Sequence, residues 1–269
     1  MCDCDDVRGN SRGAAAIINK WVAEKTDNKV TDIVPADAVN ALTRLVIVNA
    51  IYFKGNWLKK FDADSTKDED FYLSANRSVK VKMMHMSKAK FYYGTNSELN
   101  CQAIELPYTG ESLSMFILLP DQAETSLSEF EKKLTDDDLV NVMEKFRMRS
   151  TEVNLWLPRF SLDEKLGLAE MLAGMGMPDL FAEGVADLSG VDGSKELYVS
   201  KVLHRAVLEV NEEGTEAAAA TAVVMMMRSA VIPREIVDFR ADRPFLFFIH
   251  HKATRSVLFL GRLVNPPTA

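Results

Sequence analysis

The chain has 269 residues, of which 47% are hydrophobic and 26% charged, a composition ordinary for a globular protein able to bury a sizeable core. Its 39 acidic and 32 basic residues leave a net charge of -7, which argues against nucleic acid or an anionic membrane as a partner. No apolar run approaches the roughly 20 residues that span a bilayer, and the opening MCDCDDVRGNSRG lacks the apolar core of a signal peptide.

In chain order, Ala14 to Lys25 (AAAIINKWVAEK) places Ile17, Ile18, Trp21 and Val22 at helical spacing and predicts an amphipathic helix. Leu42 to Phe53 (LTRLVIVNAIYF) is dense in β-branched and aromatic residues and predicts a long buried strand, closed by the turn-like Lys54-Gly55-Asn56. From Phe71 to Pro120, short β-like segments alternate with polar breaks, as in a meander or small second sheet. Ser126 to Lys145 carries two helical patterns in which Ser or Thr precedes an acidic first turn. Glu152 to Pro158 predicts a strand, Glu164 to Met175 a helix, Tyr198 to Asn211 a long strand, and Phe245 to Leu263 a hairpin of two buried strands. The class is α+β, mostly antiparallel. No internal repeat and no Gly/Ser/Pro linker divides the chain, so one domain is expected over 14–269, with 1–13 a disordered or non-native start.

Chemistry-bearing residues are sparse. Cys2, Cys4 and Cys101 cannot complete a disulfide framework, and Cys2 and Cys4 with Asp3, Asp5 and Asp6 belong to the disordered start. His250 and His251 lie between two strand candidates without paired ligands, so neither a metal nor another cofactor is expected. No GxSxG, HExxH, Walker loop or dinucleotide fingerprint occurs, and an enzyme is not expected. Asn76-Arg77-Ser78 is a formal glycosylation sequon, meaningful only in a secreted chain; extracellular space and cytoplasm both stay open.

Residues 212–229, EEGTEAAAATAVVMMMRS, have two local readings. The Ala-rich part could be a helix capped by Thr215. As a strand, Thr215, Ala217, Ala219, Thr221, Val223 and Met225 share one face and Glu216 lies on the other, while Gly214 frees the backbone to reverse at low steric cost. Extended from Thr215 to Arg228, the segment would span on the order of 45 Å.

The run Glu212-Glu213-Gly214-Thr215-Glu216 followed by Ala217, Ala218, Ala219, Ala220 and Thr221 resembles the reactive-loop hinge of inhibitory serpins of ovalbumin-like type. Downstream, FRADRPFLFFI resembles the family signature at the separation a reactive loop of about 212–235 needs. TRLVIVNAIYFKGNW resembles the third strand of the main serpin sheet, and VNLWLPRFSLDE resembles its sixth. The resemblance implies a serpin fold: a large central sheet, smaller sheets, surface helices and an exposed loop, here without the block of amino-terminal helices that precedes the helix at 14–25 in the family. Such a chain would leave apolar surface uncovered.

The resemblance further implies that Arg228 is read by a protease and Ser229 follows the cut bond, with Met225, Met226 and Met227 as a recognition flank. A monomer would then trap a trypsin-like serine protease as a covalent acyl complex, because an Arg side chain selects specificity pockets that hold a carboxylate. Asn49 and His204 would hydrogen-bond in a shutter across two parting strands, and Trp57, Arg159 and Glu212 would gate the start of insertion. Each of these also has a plain structural reading: a satisfied core histidine, a core tryptophan, a surface ion pair. Two other functions stay open, a non-inhibitory serpin-like binder or chaperone with a helical loop, and a truncated chain that proteases simply cut.

Overall fold

The computed structural model describes residues 11–121, 126–145, 147–214 and 236–266. The elements run α1 Ser11–Lys25, β1 Leu45–Lys54, β2 Lys67–Ser74, β3 Arg77–Asn96, β4 Cys101–Pro107, β5 Leu113–Pro120, α2 Leu127–Lys133, α3 Asp136–Met143, β6 Arg149–Pro158, β7 Phe160–Gly167, α4 Ala169–Gly174, α5 Ser189–Asp192, β8 Val199–Val210, β9 Val237–Arg240, β10 Phe245–His251 and β11 Ser256–Leu263. They fall into two compact units, one of residues up to Lys54 together with Leu162–Glu209, the other of Gly55–Ser161 and Val210 onward.

The first unit is built on a three-stranded sheet ordered β1-β8-β7. β1 and β8 run parallel, with Asn49 opposite His204 and Ala50 opposite Arg205. Because side chains alternate at period two, Val46, Val48, Ala50 and Tyr52 of β1 share a face with Leu203, Arg205 and Val207 of β8. That face packs beneath α1 and the connection leaving it, where Ala15, Val22, Val30, Ile33, Val34, Ala38 and Val39 are buried. The connection is held by Asn19, whose amide oxygen accepts from the Ile33 and Val34 amides and whose Nδ2 donates to the Val34 carbonyl at 2.9 Å. The apolar stripe of α1 differs from the expected one: Ala15 and Val22 turn inward, while Ile17 is 49% and Trp21 38% exposed. Asn19 rotates the helix to bring its amide over the connection, a requirement that hydrophobic spacing does not reveal.

β1 is half-buried rather than buried. Its second face carries Ile47, Asn49, Ile51 and Phe53, with Ile47 41% exposed. The expected helix over Glu164 to Met175 is also corrected: Phe160–Gly167 is a strand and only Ala169–Gly174 is helical. Ladder bonds beside β8 and the Asp163 ion pair with Arg205 outweigh the local helix propensity of this stretch, in which Gly167 is already a poor helix residue.

The second unit holds an eight-stranded sheet along the path β11-β10-β5-β4-β3-β6-β9, with β2 paired to β3. VNLWLP therefore belongs to this sheet through β6, and the part that joins β8 in the first unit's sheet is the following FSLDEKLG. β10 lies between β5 and β11, and Phe245 through Ile249 are buried. Full burial of each such side chain contributes about 1.5–3 kcal/mol. Phe116 stacks on Phe248 with centroids 4.9 Å apart, within a cluster that also holds Leu127 and Phe130 of α2. The two helices begin where Ser or Thr precedes an acidic turn: Ser126 caps α2, and Thr135 with Asp138 forms a reciprocal capping box on α3. Cys101 is buried, and desolvation, helped by the charges of Asp121 and Asp138, pushes its thiol up to about 12, which makes it an inert core residue.

Two polar groups lie inside this unit. Glu105 is 3% exposed; burial alone would raise its carboxyl, but Lys145, Ser114 and Lys252 outweigh that and hold it below the usual carboxylate range. Lys145 Nζ lies 2.7 Å from the carboxylate and Lys252 Nζ 3.3 Å, while the Ser114 hydroxyl donates at 2.7 Å. His250, opposite Ser114 and edge-on to Phe116, has no hydrogen-bond partner for either ring nitrogen among the described residues. Desolvation lowers its pKa from the ordinary imidazole value.

Below about pH 6.5 the unfolded chain therefore gains a proton that folded His250 resists, and stability falls as pH drops through that value, by no more than about 1.4 kcal/mol per pH unit. Denaturant unfolding from pH 7.5 to 5 should show this decline in the native chain and a flatter profile in His250→Phe; parallel profiles would refute the assignment.

Candidate functional site

The residues singled out in the sequence fall into two described clusters and one segment outside the described residues. Arg228, Ser229, Met225 to Met227 and the hinge residues Thr215 to Thr221 all lie in 215–235, outside the described residues. The chain on either side of that segment is described: β8 leads into Asn211 to Gly214, and β9 begins at Val237.

In the first unit, Asn49 and His204 face each other across the β1/β8 ladder, and His204 Nδ1 is 2.9 Å from Asn49 Oδ1. An oxygen acceptor there places the imidazole proton on Nδ1. The contact lies on the face opposite the α1 layer, because residues 49 and 204 are out of phase with 48, 50, 203 and 205. β1 and β8 are hydrogen-bonded to one another along the whole of β1, so the seam between them is closed.

In the second unit, the chain after β8 is clamped to Trp57. The indole Nε1 donates to the Asn211 carbonyl at 2.8 Å, the Trp57 amide donates to the Glu213 carbonyl at 3.1 Å, and a parallel bridge joins Trp57 to Gly214. Trp57 is 3% exposed and stacks on Tyr108 at 4.5 Å, so its indole is both core and anchor. Gly214 is needed for close approach: a Cβ there would sit 2.7 Å from the Trp57 carbonyl oxygen and 2.9 Å from Lys60 Cα.

Glu212 is 14% exposed at its side chain and accepts from the Thr66 hydroxyl at 2.8 Å. Arg159, half exposed, reaches its other oxygen only at 3.9 Å. The pairing of Glu212 with Arg159 expected from the sequence is thus the longer of two contacts, and at that distance and exposure it contributes little. Thr66, Tyr108 and Asn211 were not legible as partners, since they meet Trp57 and Glu212 only through tertiary contacts, without a local motif. Among the described residues, no group of His, Cys, Asp and Glu side chains is arranged to hold a metal ion.

A family model described as Serpin (serine protease inhibitor) matches residues 5–266. Among curated proteins, the chain is 49% identical over 253 residues to the leukocyte elastase inhibitor of Xenopus tropicalis, covering 93% of this chain and 65% of that protein. It is 45% identical over 264 residues to the leukocyte elastase inhibitor of Homo sapiens, covering 97% of this chain and 69% of that protein. The chain therefore spans about two thirds of the length of the curated relatives it matches. Among solved structures, uncleaved ovalbumin superimposes with TM-score 0.85 at 31% identity, covering 97% of this chain and 65% of that one. A crystal structure of maspin superimposes with TM-score 0.86 at 30% identity, covering 97% of this chain and 68% of that one.

Gly214→Ala is expected to force Trp57 and Lys60 off the segment, at a cost of about 1–3 kcal/mol. A lower midpoint in denaturant unfolding, with a red-shifted tryptophan emission, would bear this out; an unchanged midpoint would show that the clamp yields without cost.

Proposed function

The chain belongs to the serpin family, and we propose that it inhibits serine proteases of trypsin-like specificity by offering Arg228-Ser229 as a cleavable bait. The observation that carries this reading is the placement of Arg228 downstream of the hinge-like EEGTEAAAAT and upstream of FRADRPFLFFI, where the family's loop is cut. An Arg at that position selects a pocket containing a carboxylate, since a buried charge-assisted pair discriminates strongly against uncharged side chains.

The protease serine Oγ attacks the Arg228 carbonyl carbon. The bond to the Ser229 nitrogen breaks, that nitrogen leaves protonated, and an ester joins Arg228 to the protease. The freed segment from Thr215 to Arg228, on the order of 45 Å when extended, then enters the β1/β8 seam as a new strand. Small side chains from Ala217 to Ala220 let it slide between neighbours. Insertion must break the Asn49–His204 contact and release the chain after β8 from Trp57, so these residues set the cost of starting. Strand pairing and apolar burial supply the drive, and the uncut chain stores that free energy.

The relatives named leukocyte elastase inhibitors support protease inhibition as the general activity. Their name favours a second target, an elastase-like protease, which would be offered one of the Met residues at 225–227 instead of Arg228.

Incubation with trypsin, followed by denaturing electrophoresis, tests the reading. A covalent band at the summed mass is expected, and it should vanish in Arg228→Glu. Cleavage after Arg228 without that band would leave a substrate instead of an inhibitor. A stable band only with elastase, mapped to a Met residue, would replace the trypsin-like assignment with the second.

A further inference from the structure

Asn76 is the only asparagine of the chain followed two places on by Ser or Thr, in the triplet Asn76-Arg77-Ser78. The fold sets this triplet at the tip of a hairpin. β2 ends at Ser74 and β3 begins at Arg77, so Ala75 and Asn76 make the turn, with Ser74 paired to Arg77 across it. Asn76, Arg77 and Ser78 are all exposed, whereas the same hairpin buries Phe71 and Val81. Neither Ala75 nor Asn76 takes a positive φ, so the turn makes no conformational demand for Asn. Behind the tip the hairpin is fixed: the Tyr72 amide donates to the Asp242 carbonyl at 2.7 Å, and Lys82 Nζ lies 2.8 Å from Asp68 across the two strands.

Other asparagine amides are committed to the fold. Asn19 holds the connection after α1, Asn49 meets His204, Asn154 donates to Asp238 at 2.8 Å, and Asn96 accepts from the Glu98 and Leu99 amides. Among the described residues the Asn76 amide has no hydrogen-bond partner, so a reaction at its Nδ2 takes nothing from the fold. The hydroxyl that a sugar transferase must hold, two residues on, is the exposed Ser78 Oγ. It donates to Asp70 Oδ1 at 3.1 Å, a surface contact that costs little to give up. Asp70 stays paired when Ser78 leaves it, because Lys80 Nζ lies 2.9 Å from its other oxygen.

We propose that Asn76 is the acceptor for an N-linked oligosaccharide, used when the chain enters a compartment holding an oligosaccharyltransferase and its polyprenyl-diphosphate-linked sugar donor. Nδ2 bonds to the anomeric carbon of the first sugar. The bond from that carbon to the diphosphate oxygen breaks, its electron pair leaves with the diphosphate, and Nδ2 gives up one proton to the transferase. The side chain remains a neutral amide, and the added bulk stands in solvent beyond the turn. The inference is independent of the insertion reading, since the hairpin takes no part in the β1/β8 ladder or in the clamp on Trp57.

Expression of the full chain behind a cleavable secretion leader in cultured animal cells, followed by digestion with a peptide N-glycosidase, tests the site. The chain freed of its leader should lose the mass of one glycan on digestion, with Asn76 converted to Asp in the mapped peptide. Asn76→Gln and Ser78→Ala should both remove the glycan, and Ser78→Thr should keep it. The unfolding midpoint of Asn76→Gln should match that of the digested native chain, because no contact is lost. Should the leader remain uncut, the purified chain incubated with a single-subunit oligosaccharyltransferase and a lipid-linked donor carries the same test. A native chain that has met the transferase and bears no sugar at Asn76 overturns the proposal, as does a glycan that persists in Asn76→Gln.

Discussion

The parallel ladder between β1 and β8 is the constraint on which the rest turns. β8 is the central strand, bonded to β1 on one side and β7 on the other, so under the proposed insertion a further strand can enter between β1 and β8 only after their existing bonds break; it would then make two ladders where one stood. The gain comes after the loss, and the barrier lies in the opening. The β1/β8 ladder is parallel, a pairing somewhat weaker per residue than an antiparallel one. Under the proposed insertion, the contact that meets across this ladder, Asn49 with His204, must break for the ladder to open.

The second unit is built for the opposite behaviour. Its strands are joined mostly by antiparallel ladders, and β10 is buried along nearly all its length between two neighbours. Here the chain leaving β8 is fastened through Trp57, Glu212 and Gly214, each by a different device: an indole donor, a carboxylate acceptor and a missing Cβ. A fixed root gives the segment beyond Gly214 a defined starting point. The charges buried in this unit, by contrast, are settled ones, as Glu105 sits between Lys145 and Lys252 with no part in the seam.

Much of the fold was legible beforehand because its strands and helices declare themselves locally. FLFFIHH and SVLFLGRL read as a hairpin around a polar turn, although only the first is buried as expected and the second is a largely exposed outer strand with Leu260 62% exposed, and the capping residues Ser126 and Thr135 mark helix starts by chemistry that acts within four residues. Legibility failed where a distant group overrode a local preference. FSLDEKLG became a strand because β8 offers it a ladder and Arg205 takes its Asp163, and α1 turned Ile17 outward because Asn19 had to reach Val34. Of the candidate site, the residues proposed as bait and hinge from Thr215 to Ser229 were read as a string from the sequence and lie outside the described residues. The partners of Trp57 and Glu212 were not, since Asn211 and Thr66 come to them only through the tertiary fold.

The amino-acid sequence by itself determined the helix caps, most of the apolar strands and the resemblance to the family. These depend on interactions between near neighbours or on a pattern carried whole along the chain. Only the tertiary structure decided that Asn49 meets His204, that Arg205 binds Asp163 and Asp32 together, and that Gly214 must be glycine because the Trp57 carbonyl fills the place of its Cβ. Each joins residues more than 40 positions apart, and which of the many possible long-range pairs forms depends on burial, strand register and the exclusion of a single atom, none of which has a local signature.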